Sequence, residues 1–369
     1  MIVRTMLLQN KKVAVIGGGP VGLTFATLLQ QAGVHVNVYE WDVSEFARIK
    51  GGTLDLLQNM GQKVFGKAGL LEDYFNNARP TARRFADIHG NIKERFPAFN
   101  NPEIDRNDLR KILLQSLRPN TVVWDRRFVS LKEQDDKFLL QFENGITETA
   151  DLVVGANGIM SNVRQQYITG TSPFYTGIVA IAGEVLDYKI RCPNFKRLCD
   201  DDKIIVKYEY CFFLSQPKAQ SELYYYICFP KPESWIKGNG LNFRDNKQIS
   251  GYLDDLLADW DSAYKEIFAL TDEFTLLPLR QVPLENWRPH KNITLIGDSA
   301  HGMPPYAGVG LNTGLMDALY LSENLTNANF KDIQSAIQDY ENKMFEYASE
   351  AQQETTKNKA ALFAKDPKE

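Results

Sequence analysis

The spacing of hydrophobic residues changes twice within the first forty positions. Residues 13–16 form a short β-branched run, a glycine-rich stretch follows at 17–22, and helical spacing then continues as far as Ala32. Gly33 ends the helical pattern, and residues 34–39 return to a strand-like pattern. A strand, a glycine-rich turn, a helix and a second strand in this order predict a β-α-β unit.

Later segments show the same two kinds of periodicity. Residues 121–155 alternate like strands, and residues 175–230 alternate over a longer stretch that is rich in Tyr, Ile, Val and Phe. We predict that the second of these is an antiparallel sheet in a separate layer. Apolar residues spaced three to four apart from residue 333 onward predict a long amphipathic helix. Further helical or buried-strand patterns lie at 101–117, 248–268 and 293–296.

These patterns predict an α/β protein with two interleaved domains. A Rossmann-like dinucleotide-binding domain would be built from three segments, with an antiparallel-sheet domain for the substrate inserted between them. The predicted limits are 11–71, 100–171 and 273–328 for the dinucleotide-binding domain, 72–99 and 172–272 for the substrate domain, and 329–365 for a C-terminal helix that bridges the two.

Composition and charge exclude several classes of protein. Of the 369 residues, 44% are hydrophobic and 24% are charged; the formal net charge is −4, so a nucleic-acid partner is not expected. No stretch reaches the ~18 apolar residues of a membrane span, and the first residues do not resemble a signal peptide. The four cysteines and four histidines show no metal-ligand spacing. We expect a monomeric, cytoplasmic protein without a metal.

Gly17, Gly19 and Gly22 form a G-x-G-x-x-G pattern between the first predicted strand and its helix. The first glycine permits a tight turn, the second lets a pyrophosphate approach the backbone, and the third lets the helix pack closely on the strand. Glu40 ends the second strand, where an acidic residue accepts ribose hydroxyls. The pattern predicts a dinucleotide site but does not distinguish FAD from NAD.

A second glycine-rich segment favours FAD. Gly297-Asp298 follows a predicted strand, and Gly308, Gly310 and Gly314 open a helix. A carboxylate at this position can bind a polyol chain, and free N–H groups at a helix start can face an electron-rich ring edge. FAD carries a ribityl chain, which NAD lacks.

Four stretches resemble the aromatic-hydroxylase (class A) flavoprotein monooxygenases: VAVIGGGPVGL, RNDLRKILL, DLVVGANGIMSNVR and GDSAHGMPPYAGVGLNTGLMDA. Within that family, the chain most resembles the tetracycline-inactivating flavin monooxygenases, through ARIKGGTLDL, NPEIDRNDLR, FENGITETADLVV and EAQQETTKN. The likeness covers nearly the whole chain and is looser between 172 and 245. It implies a Rossmann-like FAD-binding domain of the p-hydroxybenzoate-hydroxylase type, an inserted antiparallel sheet and a long C-terminal helix.

The resemblance also implies roles for individual residues. Glu40 would hold the adenosine ribose, Asp298 would hold the ribitol, and Arg110 would contact FAD. Asp55 would bind near the ribityl and adenosine portions, and Arg48 would contact NADPH or the flavin ring region. The complete cofactor-binding set that it implies is Gly17, Gly19, Pro20, Val21, Gly22, Glu40, Arg48, Asp55, Arg110, Asp298, Pro305, Gly308, Val309, Gly310, Leu311 and Asn312.

Three positions depart from the family pattern. Asn157 replaces the aspartate of the usual Asp-Gly pair, and Val309 replaces the glutamine of a Gly-Gln-Gly stretch. Trp41 follows Glu40 at a position where relatives often carry a basic residue. The last change leaves open how NADPH or NADH docks.

The activity implied by the resemblance is hydroxylation of a small aromatic or conjugated molecule. NADPH or NADH would reduce the flavin, and O2 would convert it to a C4a-hydroperoxide that transfers oxygen. No protein nucleophile is required, and we expect His301 to be a helix-start residue bonded to the backbone rather than a base. Two alternatives stay open: a flavin-dependent reductase or dehydrogenase, and a flavin-binding protein that sequesters a drug-like ligand.

The substrate would lie in a dry pocket on the inserted sheet. Strand alternation predicts Tyr224 and Tyr226 on one face and Tyr225 on the other. The polar substrate contacts of tetracycline-inactivating relatives align with Ala182, Lys203 and Tyr224, and a glycine aligns with Tyr226, so we predict that tetracycline is a poor substrate. The predicted pocket residues are Ala182, Lys203, Phe213, Tyr224, Tyr226, Pro304 and Tyr306.

Overall fold

The structure is a computed structural model that describes residues 7–47, 50–285, 287–288 and 290–364. Its strands are β1 (Lys12–Ile16), β2 (His35–Tyr39), β3 (Leu54–Asp55), β4 (Arg83–Ala86), β5 (Ile92–Phe96), β6 (Glu103–Ile104), β7 (Val122–Val123), β8 (Phe128–Gln134), β9 (Lys137–Phe142), β10 (Thr147–Ala150), β11 (Leu152–Gly155), β12 (Phe174–Val185), β13 (Lys203–Tyr208), β14 (Cys211–Pro217), β15 (Leu223–Pro230), β16 (Glu273–Gln281) and β17 (Ile293–Leu295). Its helices are α1 (Pro20–Gln31), α2 (Lys63–Lys67), α3 (Leu71–Asn77), α4 (Arg106–Gln115), α5 (Tyr188–Arg191), α6 (Pro193–Cys199), α7 (Glu233–Gly238), α8 (Asn246–Leu256), α9 (Ser262–Ala269), α10 (Asp298–His301), α11 (Gly310–Thr326) and α12 (Ile333–Leu362).

A five-stranded parallel sheet forms the nucleotide-binding side of the molecule. Its strand order is β17-β11-β1-β2-β7, with β1 paired to both β2 and β11. The central strands are apolar runs with both faces covered, as parallel sheets require, and Val13 and Val15 are fully buried. The predicted β-α-β unit is confirmed as β1, α1 and β2.

A seven-stranded sheet forms the second layer, in the order β16-β12-β15-β14-β13-β4-β5. Every neighbouring pair is antiparallel except β13 and β4. Tyr225 points into a core formed with α6, α8 and α9, whereas Tyr224 and Tyr226 contact each other on the opposite face. The predicted alternation of these three tyrosines is therefore confirmed.

Two predictions about this sheet need correction. Phe213 is fully buried on the helix-covered face, where it packs against Phe195 and Trp260. It therefore cannot line a pocket on the other face. Strand β16 was predicted to belong to the dinucleotide-binding domain, but it pairs with β12 along the edge of the antiparallel sheet. The remaining domain limits stay predictions.

Helix α12 is 30 residues long and contacts both layers. Asp332 and Ser335 form a capping box at its start, which satisfies backbone groups that the first turn leaves unpaired. Tyr340 and Met344 are buried under the parallel sheet, while Leu362 at the far end packs against the antiparallel sheet. Among the described residues, no helix is both long and apolar enough to cross a membrane.

Candidate functional site

The turn between β1 and α1 is shaped for close approach of a ligand. Gly17 adopts φ +113°, and a Cβ there would lie 2.5 Å from the carbonyl oxygen of Ala156. A Cβ on Gly22 would overlap Gly17 O, whereas a Cβ on Gly19 would meet nothing within 4 Å. The turn is thus tightly packed at Gly17 and Gly22 and open to a ligand at Gly19. Helix α1 begins here without a side-chain cap, so its first N–H groups are free for an anion.

Glu40 braces this turn from the end of β2. Its side chain is buried, and its two carboxylate oxygens accept hydrogen bonds from Gly18 N (2.5 Å) and Asp42 N (3.0 Å). Each carboxylate oxygen can accept a further bond, so a ribose hydroxyl could share this acid. Glu40 therefore stabilises the turn whether or not a ligand is bound.

Arg110 provides an observation that tests the fit of a dinucleotide. Its buried guanidinium pairs with Asp42 (2.7 Å) and lies over the ring of Trp124 (5.2 Å). Its Nε and Nη2 atoms are buried and have no partner among the described residues. An unmet buried donor costs roughly 1–3 kcal/mol, so two of them fit the oxygens of a bound phosphate or ribose.

Asp298 opens α10 directly after β17 and Gly297. Asp298 is exposed to solvent although many protein groups surround it. A residue in the wall of a cleft has both properties. Burial raises the pKa of Asp298, although the nearby His301 and Arg106 act in the opposite direction. No described residue donates a hydrogen bond to the carboxylate. It is a free acceptor, as a ribityl hydroxyl would require.

The start of α11 faces the same cleft. The helix has no side-chain cap, and a Cβ on Gly308 or Gly310 would meet nothing within 4 Å. A Cβ on Gly314 would lie 2.7 Å from Val21, so the starts of α1 and α11 converge. The predicted residues Pro20, Pro305, Val309 and Leu311 lie at these two helix starts.

The side chains of Asn312 and Asp55 form hydrogen bonds within the protein that we did not predict. The Asn312 side chain accepts from Leu57 N (2.8 Å) and donates to Asp55 O (3.0 Å), which leaves its backbone N–H and one amide N–H for a cofactor. The Asp55 carboxylate accepts a hydrogen bond from Asn101. Its pKa is raised by burial and by Glu103. Arg48 lies outside the described residues.

A cavity of about 280 Å³ separates the antiparallel sheet from the nucleotide-binding side. It is enclosed by three strands of the sheet, by α4 and by the loop after β2. The predicted pocket residues Ala182 and Tyr224 lie in its wall. The complete lining is Lys50, Gly51, Arg106, Ala182, Gly183, Glu184, Tyr224, Glu273, Thr275 and Leu277.

Sequence reasoning found only Ala182 and Tyr224 among the residues that line this cavity, and Arg106 is one of those that it missed. Its Nε donates to Gly52 O (2.9 Å), and no carboxylate among the described residues forms an ion pair with it. Burial lowers its pKa, while Tyr224 and Asp298 favour the charge. Arg106 therefore lines the cavity and interacts electrostatically with Asp298 in the cleft. Its position four residues before Arg110, on the same side of α4, was the available signal.

The other predicted pocket residues are not part of the cavity wall. Lys203 pairs with Glu103. Tyr226 is half-buried, with ring centroids 6.1 Å from Phe212 and 6.2 Å from Tyr224. Tyr306 packs edge-on against Phe363 near the end of α12, and the adjacent Pro304 is buried.

His301 differs from its predicted arrangement. It closes α10 instead of opening a helix, and its buried ring pairs through Nε2 with Asp317 Oδ2 (2.7 Å). Burial opposes a charged ring, but Asp317, Asp298 and a backbone hydrogen bond together outweigh it, and the pKa of His301 is raised. The sequence offered no signal for this pair, because the two residues meet through the packing of α10 on α11.

A glycine turn on a parallel sheet, a braced acid after β2 and an open carboxylate after β17 define a dinucleotide-binding α/β protein with a second ligand cavity. Residues 10–355 match the family described as the FAD binding domain, and the chain belongs to this family. It is an FAD-dependent enzyme of the monooxygenase class.

One relative and two solved structures illustrate what the chain is similar to, the structures in fold alone. The 3-amino-4-hydroxybenzoate 2-monooxygenase of Streptomyces platensis is 29% identical over 90% of this chain and 84% of its own. The structure of Klebsiella pneumoniae HpxO, complexed with FAD and uric acid, superposes with a TM-score of 0.79 at 21% identity, covering 99% of this chain and 92% of that one. Tetracycline destructase Tet(55) gives a TM-score of 0.79 at 21% identity, covering 98% and 93%.

Proposed function

We propose that this protein uses NADPH or NADH and O2 to add one oxygen atom to a small aromatic or conjugated molecule bound in the cavity beside Tyr224. The observation that carries this proposal is the position of Arg106, which lines the cavity together with Tyr224 and interacts electrostatically with Asp298 in the cleft. A cofactor held by Asp298 and a substrate in the cavity would therefore meet at this arginine.

Each cofactor contact has a physical basis in the chain. The free N–H groups at the start of α1 would hold the pyrophosphate, Glu40 the adenosine ribose, and Asp298 the ribitol. Arg110 would donate its two unmet N–H groups to phosphate or ribose oxygens. The start of α11 would donate backbone N–H groups to the flavin ring edge. When bound, FAD supplies the hydride acceptance and oxygen activation that no side chain provides.

Residues around the cavity would orient the substrate and exclude water. Burial raises the pKa of Tyr224 to about 12, so its hydroxyl stays protonated at neutral pH and can donate a hydrogen bond. The unpaired guanidinium of Arg106 would stabilise the oxyanion of a phenol or enol substrate, which makes its ring more electron-rich. Ala182 and Leu277 supply apolar wall.

Cavity size favours a small substrate. Its volume of about 280 Å³ is near the lower end of the ~300–1,000 Å³ range of ligand pockets. Tyr226 packs between Phe212 and Tyr224 on the sheet face next to the cavity. We therefore propose that the chain shares its general design with the tetracycline-inactivating enzymes, but that tetracycline itself is a poor substrate.

Purified protein tests the proposal directly. The flavin released by heat should be FAD, and a panel of phenols, hydroxy-heteroaromatics and quinone-like compounds should include one that accelerates NADPH oxidation and yields a product heavier by one oxygen. Reduction of a substrate without oxygen incorporation would favour the reductase alternative. A bound flavin that neither NADPH nor NADH can bleach would favour a sequestering protein.

Substitutions at Tyr226 test whether the size of the cavity limits the substrate. Tyr226→Gly should raise tetracycline turnover above that of the unchanged protein, because it removes a ring from the face beside the cavity, and Tyr226→Phe should not. Absorbance loss of tetracycline with NADPH and O2 measures both. Rapid turnover by the unchanged protein, near the ~10 per second of an ordinary enzyme, would refute the size argument.

A further inference from the structure

Asp317, on α11, is hydrogen-bonded to three residues, two from α10 and its N-cap and one from α12. Its Oδ2 atom accepts from Gly297 N (2.6 Å) and contacts His301 Nε2 (2.7 Å), and its Oδ1 atom accepts from Tyr347 Oη (2.5 Å). Asp317 and His301 are fully buried. A carboxylate that is buried with three donors is well compensated and strongly oriented.

The bond to Gly297 bears on the cofactor cleft. Gly297 adopts φ +63° and ψ −144°, a backbone region that is almost restricted to glycine. The next residue is Asp298, whose direction follows from this turn. The N–H of Gly297 therefore links the geometry of Asp298 to a carboxylate that lies behind the cleft wall.

The contact with His301 gives the buried carboxylate of Asp317 a polar partner. Two carboxylates, Asp298 and Asp317, interact across this turn. His301 interacts electrostatically with both of them, and its Nε2 atom lies 2.7 Å from the deeper one. Asp298 can then present a carboxylate to the cleft without facing an uncompensated neighbour.

We propose that Asp317 is a positioning residue for the flavin cofactor: through Gly297 N–H and His301 it sets the direction of Asp298, and through Tyr347 it connects this turn to α12. The inference rests on the proposed contact between Asp298 and the ribityl chain. Helix α12 also bonds to Met303 through Thr355 and to Tyr306 O through Asn358. The same helix thus holds both the Asp298 turn and the segment that leads to α11.

FAD affinity of the apoprotein, followed by flavin fluorescence, tests this role. Asp317→Asn should bind FAD about tenfold to a hundredfold more weakly, and Tyr347→Phe about threefold to tenfold. Glu341→Gln is the matched control, because it removes another buried carboxylate where α12 meets the parallel sheet but does not contact the Asp298 turn. It should stay within twofold of the unchanged protein.

A double-mutant cycle separates positioning from general destabilisation. If Asp317 acts through Asp298, Asp317→Asn should cost little further affinity in an Asp298→Ala background. Full additivity, an equal loss in Glu341→Gln, or normal affinity in both Asp317→Asn and Tyr347→Phe would overturn the proposal. Should Asp317→Asn fail to fold, Tyr347→Phe alone and in the Asp298→Ala background decides the question. Unchanged protein that binds no FAD would instead refute the proposed function.

Discussion

The parallel-sheet side and the antiparallel-sheet side prepare their ligand sites by different means. On the parallel side, backbone groups form the candidate site: the Gly17 turn and the free N–H groups at the starts of α1 and α11. On the antiparallel side, the cavity is formed by side chains whose direction depends on strand face and neighbouring layers, such as Tyr224 and Thr275. Backbone sites tolerate little change, whereas side-chain walls can vary and so adapt to different substrates.

The largest expected effect comes from the backbone turn. Gly17→Ala should destabilise the protein by about 4 kcal/mol and abolish FAD binding, because the new Cβ would clash with Ala156 O and the positive φ is strained. Gly145→Ala is a suitable control, since its φ is +79° but a Cβ there meets nothing within 4 Å. Thermal melting and FAD titration measure both. Equal effects of the two substitutions would contradict a special role for the first turn.

A buried glutamate on α12 should make the stability of the protein depend on pH. Burial raises the pKa of Glu341 to about 7 from 4.5, against the opposing hydrogen bond from Thr294. The folded protein keeps a proton that the unfolded chain releases, so this group lowers stability as pH rises from 4.5 to 7. This decline in the free energy of unfolding is about 3 kcal/mol, and Glu341→Gln should abolish it. Urea unfolding of both proteins at several pH values checks this, and parallel stability curves would show that Glu341 is not responsible.

Removing a single side-chain contact to the cofactor should reduce FAD affinity less than disrupting the Gly17 turn. Asp298→Ala and Arg110→Ala should each weaken FAD binding about tenfold to a hundredfold, since each loses a charged hydrogen-bonding group worth roughly 1.5–3 kcal/mol. Asp339→Ala on the exposed part of α12 serves as the control. Affinities within twofold of the unchanged protein for both site variants would mean that the cofactor contacts are assigned wrongly.

The smallest effect is expected on the antiparallel side. Tyr224→Phe should lower kcat/KM for the substrate about threefold to tenfold, which is the loss of about one hydrogen bond. FAD affinity should stay within twofold, because the hydroxyl belongs to the cavity wall. Steady-state kinetics and FAD titration together test the contrast. A variant that loses FAD but turns over substrate normally when saturated would place Tyr224 with the cofactor instead.

Local patterns in the sequence were sufficient where the structure is itself local. The β-α-β unit, the long C-terminal helix and the opposite faces of Tyr224 and Tyr225 all follow from short-range periodicity. The glycine turn was also predictable, because its chemistry depends on backbone conformation within a few residues. The segment around Asp298 and the family resemblance added FAD, which the first glycine pattern alone could not distinguish from NAD.

Tertiary packing decided what remained. Alternation separates the two faces of a strand but does not say which face a helical layer covers, so Phe213 was assigned to the wrong side. Arg106 and Arg110 share one helix side, yet only the tertiary arrangement places Arg106 among strand residues of the antiparallel sheet in the cavity wall. The Asp317 cluster joins α10, α11 and α12 over sequence separations of 16 to 30 residues. Such contacts depend on how whole elements pack, and no local pattern encodes that arrangement.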